Sequence, residues 1–123
     1  MVARFEVDEL FIENGDYLAL SIGFTSDDDP LDVLHLVLDS TNNSEYSLHL
    51  ERTDQSASCL NQVRQITFGD TQVALYLTDV GAESLNLERL VEFSFEKQPD
   101  LYPIAIAQLR LITCPAHVRF FKE

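Results

Sequence analysis

Positive charge is scarce in this sequence. Its 8 Lys and Arg residues face 21 Asp and Glu residues, which gives a formal net charge of −13. A field of that sign repels phosphate backbones, whereas proteins that bind nucleic acids carry basic patches. The composition therefore argues against nucleic-acid partners. It leaves two explanations open: a basic protein partner, or an acidity that only keeps the protein soluble.

Cysteine, glycine and long apolar runs are scarce as well. Cys59 and Cys114 are too few for a disulfide framework and lack CxxC spacing, so we expect reduced thiols that serve packing. Four scattered glycines allow no phosphate-cradling loop. No apolar run approaches the roughly 18 residues of a membrane span, and the first residues lack the features of a secretion signal. We therefore predict a cytoplasmic protein that makes no contact with a membrane.

The residues that are present support a folded core. Hydrophobic residues make up 46% of the chain, enough for a single domain over residues 1–123. Period-two alternation and turn-forming residues divide most of the chain into strands. The predicted strands after a first hairpin cover residues 33–38, 46–50, 65–68, 71–77 and 90–95.

The chain begins with a predicted hairpin. Phe5, Val7 and Phe11 alternate with polar residues up to Asn14-Gly15, a dipeptide that supplies the positive φ angles of a tight turn. The second strand of this hairpin places its large apolar residues on one face, as expected for a half-buried strand.

Two later segments have helical spacing. Thr78 or Asp79 can cap a short helix over about residues 79–86. A second helix is predicted from about residue 100 to 113, because apolar residues recur there at helical spacing and Pro103 falls in the first turn. One face of this helix should cover the sheet. The predicted fold class is α+β, with a mainly antiparallel sheet of hairpins.

Two histidines are the first candidates for a metal site. A hairpin centred near Asn42 would place His35 opposite His49. Nothing in the spacing requires a third ligand, so a plain surface pair is the favoured interpretation. The acids within residues 27–32 lack the ligand positions of a calcium loop and are interpreted as solvated loop charge. We predict no metal and no cofactor.

Catalytic motifs are not evident in the sequence. No serine lies in a GxSxG turn, and Cys59 has no obvious histidine partner. Two well-placed carboxylates would leave no readable spacing, so a small enzyme with a carboxylate pair remains an alternative. The favoured expectation is a protein that catalyses nothing and acts by binding.

The order of features from residue 46 to 112 resembles the immunity protein 10 family of bacterial polymorphic toxin systems. The matching features are the strand at 46–51, a polar insert, the hairpin of 62–68 and 73–78, the segment 82–87, the strand at 90–95 and the helix that ends at 107–112. The resemblance implies that this protein neutralises a cognate toxin by occlusion in the cytoplasm of the producing cell. It agrees with the charge, because an acidic inhibitor would be steered to a basic toxin domain.

A partner-binding surface can be proposed from the acidic residues. In this hypothesis, rim charges surround an aromatic anchor, Tyr46 or Tyr76. The rim charges are Asp27, Asp28, Asp29, Asp32, Glu51 and Asp54.

An alternative function is a structural or regulatory interaction domain, which could be homo-oligomeric, with no toxin partner. Its contact would be an exposed strand edge or the segment 118–121, which contains Phe120 and Phe121. These two rings must either fold back onto the core, which is the favoured expectation, or be buried by a partner.

Overall fold

The computed structural model describes residues 2–26, 31–40, 46–53 and 57–123. These parts of the chain form nine strands and two helices. In chain order they are β1 (Val2–Asn14), β2 (Leu18–Phe24), β3 (Asp32–Ser40), β4 (Tyr46–Arg52), β5 (Ser58–Leu60), β6 (Val63–Gly69), β7 (Gln72–Leu77), α1 (Asp79–Leu85), β8 (Leu90–Ser94), α2 (Leu101–Thr113) and β9 (Arg119–Lys122).

All nine strands belong to one sheet, in the order β5-β4-β3-β2-β1-β8-β7-β6-β9. The long strand β1 is shared between two parts of it. Its residues 2–6 pair with β8 in parallel, and its residues 7–14 pair with β2 in antiparallel fashion. We call residues 7–14 of β1 together with β2–β5 the first half-sheet. Residues 2–6 of β1 together with β6–β9 form the second half-sheet.

The sheet is bent, because strands that are far apart in its order touch the same helix. α1 contacts both β5 and β7, and α2 contacts both β2 and β9. Apolar side chains from both half-sheets and both helices join one buried cluster. Within it, the Phe24 ring centroid lies 4.5 Å from that of Phe5 and 5.2 Å from that of Phe93. Each half-sheet therefore has an inner face on the core and an outer face turned away from it.

The helix α2 packs one face against the sheet, as predicted. Ala105, Leu109 and Ile112 are buried in the core at the helical spacing seen in the sequence. Gln108 is buried beside them, and its side-chain amide donates to the carbonyl oxygen of Ala19 at 2.9 Å. This hydrogen bond satisfies a polar group inside the core and fixes α2 to the first half-sheet.

The short helix α1 is capped at both ends. The Gly81 N–H donates to the hydroxyl of Thr78 at 3.0 Å, so Thr78 is the N-cap. Asn86 ends the helix in the left-handed conformation that asparagine tolerates. Within the part of the chain that the structure describes, neither helix has the length and apolar character needed to cross a membrane.

Two strand pairings are parallel, although the sequence pattern required no parallel connection. β1 lies parallel to β8, and β9 lies parallel to β6. Alternation identifies the two faces of a strand but carries no information about its neighbour. The predicted fold class is confirmed, since the other pairings are antiparallel and the protein is α+β.

The segment after α2 folds back onto the core, as favoured by the sequence. β9 extends the sheet beside β6, and the Phe120 ring centroid lies 4.8 Å from that of Phe68. Phe121 lies on the other face of β9 and remains exposed. Phe120 thus needs no partner protein to cover it.

Candidate partner-binding surface

The outer face of the first half-sheet follows directly from strand register. Residues that face one another across strands lie in rows, because side chains alternate between the two faces. One row runs from β1 to β5 through Phe11, Ser21, His35, Glu51 and Ser58. The neighbouring row contains Glu13, Ala19, Val37, His49 and Leu60. These two rows form the middle of the surface.

A depression of about 350 Å³ lies on this face. Its walls include two exposed aromatic side chains, Phe11 at 60% and Tyr17 at 53% of full exposure. Ser21, His35 and Glu51 also line it. Exposed aromatic side chains beside polar groups are typical of surfaces that bind other proteins.

Ser21, His35 and Glu51 form a row whose residue types could suggest nucleophilic catalysis. The Ser21 hydroxyl lies 2.7 Å from Nδ1 of His35, and Glu51 faces His35 across the β3–β4 pair. A serine nucleophile also requires N–H donors that stabilise a developing oxyanion. Here the row lies on strands that have neighbours on both sides, so their backbone amides take part in the sheet. The row therefore presents three side chains capable of hydrogen bonding on the outer face.

Negative charge is concentrated in the part of the chain that builds this surface. Residues 7–60 contain twelve Asp and Glu residues and one cation, Arg52, a formal net charge of −11. The remaining residues contain nine acids and seven cations, a net charge of −2. The outer face itself carries Glu9, Glu13, Asp39 and Glu51 and, among its described residues, no Lys or Arg. A surface of one sign creates a field that attracts basic partners.

Asp32 is not part of this surface, so its predicted role as a rim charge is wrong. Its side chain is only 3% exposed and is held by Arg52, with 2.7 Å between Nη2 and Oδ2. The hydroxyls of Ser26 and Thr53 donate to the same carboxylate at 2.8 and 2.9 Å. The physical reason is register: Asp32 begins β3 with its side chain on the inner face, opposite the end of β4.

Arg52 joins this carboxylate to the end of α1. Its Nη1 donates to the carbonyl oxygens of Leu85 and Asn86 at 2.9 and 2.8 Å, where a helix end favours a cation. Burial acts to raise the pKa of Asp32, but the hydrogen bonds from Arg52, Ser26 and Thr53 and the charge of Arg52 outweigh it and hold that pKa below its usual value. Arg52, the single cation of residues 7–60, therefore has all of these partners within the protein.

The other predicted partner-binding residues lie on separate surfaces. Glu51 is on the outer face of the first half-sheet, whereas Tyr76 is on the outer face of the second, with its hydroxyl 3.5 Å from Oε1 of Glu123. Tyr46 is 46% exposed at the start of β4, on the same side of the strand as the buried Leu48. The remaining predicted residues, Asp27, Asp28, Asp29 and Asp54, lie outside the described residues.

The aromatic walls of the depression were missed in the sequence because of a bulge. The alternation of Phe5, Val7 and Phe11 predicts one common face, but the register of β1 shifts between Val7 and Glu9. This shift turns Phe11 to the outer face while Val7 stays buried. The alternation pattern did place Tyr17 on the outer face, because it falls on the side of the strand away from the large apolar residues of β2.

The two histidines do not face each other as predicted. His35 pairs with Glu51, and His49 pairs with Val37. The observed register therefore differs by two residues from that of a hairpin centred near Asn42. Among the residues that the structure describes, no group of three His, Cys, Asp or Glu side chains could hold a metal ion. Cys59 is half-buried, and burial raises the pKa of its thiol, which fits a packing role. Cys114 is exposed, so the packing role predicted for it is wrong.

The outer face of the second half-sheet differs in chemistry. Glu92 accepts from Nε of Arg4 at 3.4 Å and from the Gln72 amide at 2.8 Å. Thr67 donates its hydroxyl to Glu123 at 2.9 Å. Glu92 and Glu123 therefore have side-chain partners within the protein, whereas the buried Oε2 of Glu6 on the same face has no hydrogen-bond partner among the described residues.

Comparisons with known proteins supply no relative. No family model, no curated protein and no solved structure matches this chain. The resemblance to the immunity protein 10 family therefore stays an expectation from the sequence, and a functional proposal has to rest on the surface itself.

Proposed function

We propose that this protein is an inhibitor of the immunity-protein type that binds and occludes a basic partner domain, a cognate toxin. The binding surface is the outer face of the first half-sheet. The observation that carries the proposal is the coincidence of two properties on one face: exposed aromatic side chains and acidic charge without a neighbouring Lys or Arg in the described residues.

The aromatic residues supply the anchor in this proposal. Phe11 and Tyr17 flank a depression in which a basic side chain can contact ring faces, with the carboxylates of Glu13 and Glu51 on its lining. Binding energy in protein interfaces is concentrated in such central aromatic residues. The sequence-based anchors, Tyr46 and Tyr76, are replaced here by the pair that the structure places together.

The acids supply steering. Complementary charges raise the association rate of a protein pair above the range of neutral pairs, and salt suppresses this gain. Glu9, Glu13, Asp39 and Glu51 surround the anchor and would meet a basic surface at its rim. An acidic inhibitor can in this way occupy a nuclease-type site that normally binds phosphates.

The alternative, a homo-oligomeric interaction domain, is disfavoured for this face. Two copies that met through it would bring the same carboxylates together, and like charges in an interface are destabilising. Self-association would instead have to use another surface, such as the free edge of β9 beside the exposed Phe121. It would then be insensitive to neutralisation of the acidic face.

The test is affinity capture from a lysate of the source cell at low salt, with elution by a salt gradient. We expect a basic protein to elute as salt rises, and a toxic activity of that protein to be suppressed by the wild type. Phe11→Ala with Tyr17→Ala should abolish capture. The double variant Glu96→Gln and Asp100→Asn, on exposed acids outside the first half-sheet, is the matched charge control and should capture normally.

Tyr46→Ala separates the two anchor hypotheses, because Tyr46 is similarly exposed but lies away from the depression. Its capture should equal that of the wild type. Circular dichroism of each variant shows whether the fold is retained. Recovery of this protein alone, or of a partner indifferent to salt and to Phe11 and Tyr17, would contradict the proposal and favour the interaction-domain alternative.

A further inference from the structure

A second concavity lies between α2 and the turn that joins β6 to β7. Its volume is about 590 Å³, within the usual range of roughly 300–1,000 Å³ for small-molecule sites. α2 contributes Tyr102, Pro103, Ile106, Ala107 and Arg110. The strands and their turn contribute Phe68, Gly69, Asp70, Thr71 and Lys122. We call this concavity the α2 groove.

The floor of the α2 groove is apolar. Phe68, Tyr102 and Ile106 pack against the core on one side and remain partly accessible on the other. Most of the groove's accessible lining is carbon, in contrast to the mixed lining of the depression on the first half-sheet. A ligand with an apolar body would remove this surface from water, which is favourable in proportion to the area covered.

Two cations line the same groove, Arg110 and Lys122. The guanidinium of Arg110 lies 5.3 Å from the ring centroid of Phe68 and 5.4 Å from that of Phe120. Neither cation forms an ion pair with a carboxylate in the described parts of the chain. In a protein with 21 acids, a concavity that presents two such cations favours an anionic group.

The remaining polar groups limit the charge that the groove can accept. Asp70 lines it as well and would repel a multiply charged anion. Burial, followed by the Asp70 carboxylate, raises the pKa of Tyr102 and outweighs the opposing Gly69 hydrogen bond. The Tyr102 hydroxyl therefore keeps its proton and can donate a hydrogen bond.

We propose that the α2 groove binds a small amphipathic carboxylate. Its apolar chain would lie over Phe68, Tyr102 and Ile106, and its carboxylate would meet Arg110 and Lys122. Carboxylates paired with Arg and Lys form the stronger, charge-assisted hydrogen bonds. This site is separate from the acidic outer face and requires no protein partner.

The test titrates the full-length protein with two probes of equal chain length and opposite charge, decanoate and decyltrimethylammonium, below their micelle concentrations. Backbone amide chemical shifts report the binding site residue by residue. We expect decanoate to shift the amides of residues 68–71, 102, 104–110 and 122. Decyltrimethylammonium should bind the groove about tenfold or more weakly, since a hydrogen bond to a charged group typically contributes that much.

Two kinds of variant give the proposal a sharper test. Arg110→Gln with Lys122→Gln should weaken decanoate binding about tenfold or more, whereas Arg64→Gln, an exposed cation outside the groove, should leave it unchanged. Ala107→Phe adds a ring at an exposed helix position that lines the groove and should block both probes. Equal binding of the two probes, or decanoate shifts that persist in Ala107→Phe, would overturn the proposal.

Discussion

The two half-sheets share one core but use charge in opposite ways. Residues 7–60, which build most of the first half-sheet, have a net charge of −11, and the rest of the chain has a net charge of −2. On the second half-sheet, Glu92 and Glu123 accept hydrogen bonds from neighbouring side chains. The outer face of the first presents carboxylates around exposed aromatic rings instead. Side-chain hydrogen bonds thus hold Glu92 and Glu123 within the fold, whereas the acids on the outer face of the first half-sheet have no neighbouring Lys or Arg among the described residues.

Asp32 is the exception within the acidic half, and its replacement should have the largest effect. Asp32→Asn leaves Arg52 in a buried site without its counter-charge. We expect the free energy of unfolding at neutral pH to fall by about 3 kcal/mol. Urea unfolding measures it. Asp39→Asn, on an exposed acid of the same strand, is the matched control and should change stability by less than about 0.5 kcal/mol.

The same pair gives a pH dependence with a defined sign. The pKa of Asp32 is lowered in the folded protein, so its contribution to stability is fully present above the ordinary carboxyl pKa of about 3.9. It is lost as the pH falls through the lowered pKa. The stability difference between wild type and Asp32→Asn should therefore shrink at acid pH. A difference that stays constant down to strongly acid pH would show that the lost interaction is not the ionised pair.

One chemical change should have opposite consequences in the two halves. Glu92→Gln removes the charge that holds Arg4 and Gln72, and it should lower the free energy of unfolding by about 1 kcal/mol. Glu9→Gln removes a charge from the one-signed face, and it should leave stability unchanged or raise it by a few tenths of a kcal/mol. Urea unfolding of both variants under the same conditions measures the two changes in stability. Equal destabilisation would remove the distinction between the half-sheets.

Much of the fold was predictable because its signals are local. The first hairpin, the strand pair around residue 70 and both helices follow from alternation, turn residues and helical spacing. Thr78 and the apolar face of α2 illustrate this, since each is identified within one or two turns of chain. The parallel neighbours of β1 and β9 depend on contacts between distant segments, which no local pattern encodes.

The candidate surface was less predictable, and the causes are specific. The bulge between Val7 and Glu9 reverses the face on which Phe11 lies, and a sequence pattern cannot reveal one extra residue in a strand. In the sequence, Asp32 resembles the exposed acids of the preceding loop. Its buried ion-pair partner, Arg52, lies twenty residues further along the chain, so no local pattern links the two. Acidic composition pointed to the half of the molecule that contains the candidate surface, but composition alone could not choose its face.

Salt provides the finest test of the comparison. If the acids of the first half-sheet repel one another, added salt should screen this repulsion. The free energy of unfolding of the wild type should then rise by a few tenths of a kcal/mol as salt increases to about 0.2 M, where the screening length is below about 10 Å. A variant that combines Glu9→Gln, Glu13→Gln, Asp39→Asn and Glu51→Gln should be more stable at low salt and should respond less. Urea unfolding over a sodium chloride series gives both values.

The same four-site variant connects stability with recognition. Surfaces kept for binding commonly lower stability, so neutralisation should improve the fold while it weakens capture of a basic partner. A variant that gains stability and loses the partner would assign the acids to recognition. If it keeps the partner and loses stability, the acids belong to the fold, and the contrast between the two half-sheets has no functional meaning. Glu96→Gln with Asp100→Asn, outside the first half-sheet, should alter neither capture nor salt response.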